Sequence, residues 1–161
     1  MFFNKSILDK AQKISQKLRD NKLKISFAES CTGGLLSALF TEISGASDIF
    51  DYGFVTYSNQ AKQNILGVAE KIIKEFGAVS EQCAIAMAQG VLRKSRSDIA
   101  ISVTGIAGPN GRSVEKPVGL VYISFASNQK TIFKKCNFDG SRSEIRNKAI
   151  KTALDIIDYN I

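Results

Sequence analysis

Three loops of this chain carry side chains capable of chemistry. In the first, Glu29-Ser30-Cys31-Thr32-Gly33-Gly34 follows a short apolar run and leads into a helical pattern. Such a loop sits at the carboxyl end of a strand, where open α/β sheets bind ligands. The free N–H groups at the helix start can hold an anion or an oxyanion, and two glycines let a substrate approach the backbone closely. The alternative is a tight strand-to-helix turn with Thr32 as its N-cap. In the second loop, Tyr57-Ser58-Asn59-Gln60-Ala61-Lys62 joins a strand pattern to a short helix. A helical lysine is ordinarily a solvated charge. Facing a buried serine it changes meaning, because desolvation favours the neutral amine and a neutral amine is a general base. Tyr57 either donates a hydrogen bond or relays a proton there, or is a strand aromatic with its hydroxyl at the surface. The third loop, Thr104 to Gly111, has glycines at 105, 108 and 111 that can expose amides to a phosphate or simply form a turn. It lacks the Gly-Lys-Ser/Thr of a Walker motif and is not GxGxxG.

The chain contains no histidine. That excludes every Ser-His and Cys-His nucleophilic site and any metal site that needs imidazole. Serine-lysine pairs are a known substitute for serine-histidine, so Ser30 and Lys62 gain weight as partners. Cys31, beside Ser30 and close to a helix N-terminus, is the rival nucleophile. The cysteines Cys31, Cys83 and Cys136 are odd in number, widely spaced and form no CxxC pair. Neither zinc nor a disulfide framework is suggested, and a reducing, cytoplasmic setting fits. Lysines and arginines outnumber acidic residues by 22 to 15, a net charge of +7. The basic residues are dispersed, so a solvated surface or an anionic small-molecule ligand accounts for them better than a nucleic-acid footprint.

These loops need a scaffold, and 161 residues suffice for one domain. No run is long and apolar enough to span a membrane, and no leading segment reads as a signal peptide. Apolar spacing predicts a helix over 4–20, a strand over 23–27 and a helix over 35–43. A strand follows over 50–57, then short helices over 59–66 and 70–76, ending at Gly67 and Gly77. Ser80 reads as the N-cap of a helix reaching Lys94. Residues 98–103 are nearly all apolar, as in a central strand covered on both faces. Residues 118–126 and 131–138 form a hairpin, and Ser141-Arg142-Ser143-Glu144 is a capping box that opens the last helix. This order implies an α/β protein with helices on both faces of a mixed sheet.

Several segments together resemble the CinA C-terminal domain family. They are Ala28-Glu29-Ser30-Cys31-Thr32-Gly33-Gly34, then Gly53-Phe54-Val55-Thr56-Tyr57-Ser58-Asn59 with Lys62 and Leu66-Gly67-Val68. Gly77-Ala78-Val79-Ser80, Thr104-Gly105-Ile106-Ala107-Gly108-Pro109 and Lys116-Pro117-Val118-Gly119 complete the set. The resemblance runs from the first helix to the last. It implies a single three-layer α/β/α domain with a mixed, mostly parallel sheet. The stand-alone members are nicotinamide-nucleotide amidohydrolases of the PncC type. They convert nicotinamide mononucleotide to nicotinic acid mononucleotide and ammonia, in NAD recycling. The resemblance makes Ser30 the nucleophile and Lys62 the general base, with Tyr57 beside them. The amides of Cys31, Thr32, Gly33 and Gly34 become the oxyanion hole, and Thr104, Gly105 and Arg142 grip the nucleotide. It implies no metal or cofactor, a homodimer or higher homo-oligomer, and no membrane or nucleic-acid partner. A catalytically silent nucleotide-binding or scaffold protein of the same fold is the alternative. Larger relatives carry an additional N-terminal nucleotide-hydrolase domain, which this length does not accommodate. Two positions depart from the family pattern. Asn110 and Arg112 stand where an acidic residue and a glycine are common, and Phe76 precedes Gly77 where histidine is frequent.

Overall fold

A computed structural model describes residues 3–161 of the chain. Its centre is a five-stranded sheet in the order β2-β1-β3-β4-β5. The strands are β1 (Ile25–Glu29), β2 (Phe50–Val55), β3 (Ile99–Gly105), β4 (Leu120–Ser127) and β5 (Thr131–Asn137). The helices are α1 (Lys5–Asp20), α2 (Leu35–Thr41), α3 (Asn59–Leu66), α4 (Glu70–Phe76), α5 (Glu81–Lys94) and α6 (Arg142–Asn160). β1 pairs in parallel with both β2 and β3, while β3-β4 and β4-β5 are antiparallel. Four of the five strands therefore point the same way, as the mixed, mostly parallel sheet of the sequence reading requires.

The three layers follow from alternation along the strands. Ile25 and Phe27 of β1, Ile101 and Val103 of β3, and Ile123 and Phe125 of β4 join the cluster beneath α1, α2 and α6. The opposite face carries small residues. Ala28, Ala100 and Ala126 meet α5 together with Leu66 of α3. Small side chains let α5 lie close to the sheet, and the buried Ser102 hydroxyl donates to the Ala84 carbonyl of α5 at 2.6 Å. β1 is buried along its whole length, so the expected strand over 23–27 is corrected to Ile25–Glu29. Leu23 and Lys24 belong to the preceding turn, where their amides bond the Leu18 carbonyl and the Asp98 carboxylate. The apparent alternation there came from Ser26, which is buried against Ser97 rather than facing water.

The caps lie where the side chains dictate. Asn4, Ser58 and Ser80 accept from the amides of Ile7, Ala61 and Cys83, and Ser141 with Glu144 closes the capping box of α6. Gly90 fixes how α3 docks on α5. A methyl group there would lie 2.2 Å from the Leu66 carbonyl oxygen at the end of α3. Gly90→Ala is expected to lower stability by about 1–3 kcal/mol, the usual range for overpacking. The check is urea unfolding, and an unchanged midpoint would contradict this account of the α3-α5 contact. Among the described residues, no helix is long and apolar enough to cross a membrane.

Candidate active site

β1, β2, β3 and β5 end along one edge of the sheet, because β5 is antiparallel to β4 and so runs with the other three. The chain leaves β1 for β2 on one side, whereas β3 lies on the other. Such a switch in strand order opens a crevice at the carboxyl ends. Ser30 stands at its base, its amide bonded to the Val103 carbonyl at 2.9 Å. A cleft of about 220 Å³ opens above it, lined by Ser30, Cys31, Tyr57, Lys62, Asn110 and Arg142 among others. A larger depression of about 390 Å³ between β5 and α6 holds no serine or cysteine among its lining residues. Chemistry rather than volume selects the site.

Lys62 is 1% exposed. Ser58 caps α3 and starts it in the direction that carries the Lys62 side chain inward. The Nζ atom lies 3.0 Å from Ser30 Oγ, 2.9 Å from the Thr56 carbonyl and 3.0 Å from the Tyr57 carbonyl. These two carbonyls explain why β2 stops at Val55 and not at the expected Tyr57: they turn from the ladder to the amine. Burial holds the Lys62 amine below its ordinary pKa, and nearby Cys83 and Cys31 only oppose that effect. A neutral amine can keep two N–H bonds to the carbonyls and direct its lone pair at the Ser30 hydroxyl. The geometry is therefore that of a nucleophile with an oriented base. Cys31 has no such support. Burial pushes its thiol from 9.0 up to about 11, against the helix-terminus activation the sequence allowed.

The loop that follows differs from expectation. Thr32 is not the N-cap of α2; its hydroxyl is buried without a partner. The cap is Glu29, a residue the sequence reading passed over. Its buried carboxylate accepts from the amides of Gly34, Leu36 and Ser37 at 3.1, 3.0 and 2.9 Å, and from the Ser37 hydroxyl at 2.8 Å. The signal was present in an acidic residue placed just before a helix start, where the macrodipole favours it. Gly34 is thus corrected as an oxyanion donor, and so is Gly33, whose amide bonds the Ser30 carbonyl at 3.1 Å. Both glycines adopt positive φ, +61° and +94°, which brings the loop round to the helix. Among the described residues the Thr32 amide bonds no acceptor and the Cys31 amide meets only its own thiol, so these two are the loop amides left for a developing negative charge.

The other expected residues surround the cleft with altered tasks. The phenol of Tyr57 turns away from the amine and accepts from Arg142 Nη2 at 3.0 Å. Arg142 also donates from Nη1 to the Gly108 carbonyl at 2.7 Å, which ties α6 to the third loop. The Thr104 hydroxyl donates to the Ala78 carbonyl at 2.8 Å, so toward a ligand it offers only acceptor lone pairs. Gly105 lines the cleft but stays in the β3-β4 ladder, where a side chain would strike Val121 and Leu120. Arg146, not singled out from the sequence, donates from Nη2 to the Thr32 carbonyl at 2.8 Å. Its spacing of four from Arg142 places both on one helix face. Phe76 contributes its carbonyl, which accepts from Lys116 at 2.5 Å, and Asn110 lines the cleft. Among the described residues, no group of three or more acidic or cysteine side chains is clustered to hold a metal.

The model of the CinA C-terminal domain matches residues 8–161. The chain belongs to this family. It is 52% identical over 140 residues to a CinA-like protein of Endomicrobium trichonymphae, an alignment covering 87% of this chain and 33% of that protein. The chain spans about a third of the length of the curated relatives it matches. The crystal structure of competence/damage inducible protein CihA from Agrobacterium tumefaciens superposes with a TM-score of 0.95 at 43% identity, covering 98% of this chain and 96% of that one. Competence damage-inducible protein A from Klebsiella pneumoniae gives 0.92 at 32% identity, covering 95% of each chain. This member of the CinA C-terminal domain family shares the α/β architecture of those solved structures.

Proposed function

We propose that the protein is a nicotinamide-nucleotide amidohydrolase that acts by a serine-lysine mechanism. The observation that carries this reading is the buried amine of Lys62 at 3.0 Å from Ser30 Oγ, in a chain without histidine. In the proposed reaction, neutral Lys62 takes the hydroxyl proton as Ser30 Oγ attacks the carboxamide carbon. The oxyanion develops against the amides of Cys31 and Thr32. Protonated Lys62 then gives its proton to the departing nitrogen, and ammonia leaves an ester on Ser30. Water, deprotonated by the same amine, attacks the ester carbon; the bond to Ser30 Oγ breaks as Lys62 returns that proton to Oγ, which frees the acid and restores the hydroxyl and the neutral amine. One amide and one water thus become one carboxylic acid and one ammonia.

The basic cleft mouth supports an anionic substrate such as nicotinamide mononucleotide. Arg142 is already oriented there by Gly108 and Tyr57, with further N–H donors free for a phosphate. Ammonia release from nicotinamide mononucleotide by the purified chain tests the reading. Release is expected, with free nicotinamide a poor substrate for want of the anionic handle. No release would favour a silent nucleotide-binding protein, and equal use of both amides would remove the role of Arg142. Arg142→Ala is expected to weaken kcat/KM by about 1.5–3 kcal/mol, the range for a hydrogen bond to a charged group. Steady-state kinetics with the mononucleotide measures this directly.

A further inference from the structure

The Ser30 loop is held from two directions. Glu29 anchors its far end to α2 through the amides of Gly34, Leu36 and Ser37. Arg146 reaches over from α6 and bonds the Thr32 carbonyl at 2.8 Å. Its guanidinium lies against Gly33, where a methyl group would stand 3.5 Å from Nη2. Two features of this arginine are unexplained by the fold. Its Nε is buried without a hydrogen-bond partner, and no carboxylate pairs with it among the described residues. A half-buried guanidinium with no counter-ion is left open to negative charge that develops beside it. Its field already reaches the loop, since it favours the thiolate of Cys31 against burial.

We propose that Arg146 is a positioning residue for the acyl-transfer step: it locks the Thr32-Gly33 peptide so that the Cys31 and Thr32 amides face the oxyanion, and its unpaired charge supports that oxyanion. The inference rests on the serine-lysine reading given above. It also divides the work of two arginines one helical turn apart. Arg142 faces the mouth through Gly108 and Tyr57 and acts on the substrate's anion. Arg146 faces the loop and acts on the transition state. A residue of the first kind changes KM, and one of the second kind changes kcat.

The test compares R146M, R146K and R142A in the full chain. Two readouts are taken: kcat and KM for ammonia release from nicotinamide mononucleotide, and the rate at which a small fluorophosphonate labels Ser30. The second readout requires no nucleotide. R146M is expected to lose about 100-fold in kcat, the lower range for an oxyanion-hole contact, with KM within about twofold. Labelling of Ser30 should slow in parallel, and R146K should recover part of both. R142A should raise KM, with a smaller effect on kcat than R146M. An R146M protein with unchanged kcat and labelling, or with a loss confined to KM, overturns the proposal. Should R146M fail to fold, R146K decides: a lowered kcat at constant KM supports the proposal, and wild-type kinetics overturns it. A wild-type protein that labels at Ser30 but releases no ammonia would discard the substrate assignment alone, leaving the labelling rates to judge Arg146. A wild type that does neither overturns both readings.

Discussion

Lys62→Arg is expected to abolish ammonia release in a protein that still folds. General-base catalysis contributes typically about 10²–10⁴-fold, and the guanidinium cannot deprotonate at any pH the protein survives. Lys62→Met, which preserves the length of the side chain without the amine, should fail equally. Thermal unfolding of both variants separates lost chemistry from lost structure. The pH profile of the wild type gives an independent measure. The active form of Lys62 is neutral, and the neutral form prevails above its pKa. Activity therefore rises with pH, and because burial lowers that pKa from its ordinary value of 10.5, the rise comes at lower pH than an exposed lysine would allow. Near-normal turnover by Lys62→Arg would mean that the lysine is only an electrostatic partner, and the serine-lysine mechanism would fall.

Ser30→Ala should be as damaging, while Cys31→Ala should retain most of the activity. The two side chains are adjacent in sequence, but only the serine faces an amine, at 3.0 Å. The Cys31 thiol, at about 11, is almost wholly protonated near neutral pH and is a weak nucleophile. Removing a nucleophile that works as a unit with its base costs as much as removing the unit, so a loss of more than about 10⁴-fold is expected for Ser30→Ala. Ammonia release by both variants under one set of conditions gives the comparison. The reverse ranking would transfer the nucleophile to Cys31.

Much of the scaffold was legible from residue order. Helical spacing with Gly67, Gly77 and Ser80 predicted α3, α4 and α5 with their observed bounds, because such residues are local signals that act within one turn. The absence of histidine, together with the Ser30 and Lys62 loops, pointed to a serine-lysine pair before any coordinates. What lay beyond the sequence was decided by contacts across long separations. Lys62 is 32 positions from Ser30, and only the parallel pairing of β1 with β2 brings the two loops together and removes the amine from water. The destination of the loop amides was equally hidden. Gly33 and Gly34 looked free by position, yet they bond the Ser30 carbonyl and the Glu29 carboxylate, because their positive φ turns the loop back on itself. The phenol of Tyr57 and the guanidinium of Arg142 meet 85 positions apart, and Arg146 meets Thr32 across 114. The residue types capable of the chemistry are therefore properties of the sequence. Which amine is dry, which amides are open and which arginine faces the loop are properties of the packed sheet edge, where burial and partner geometry set the charge state and direction of each group.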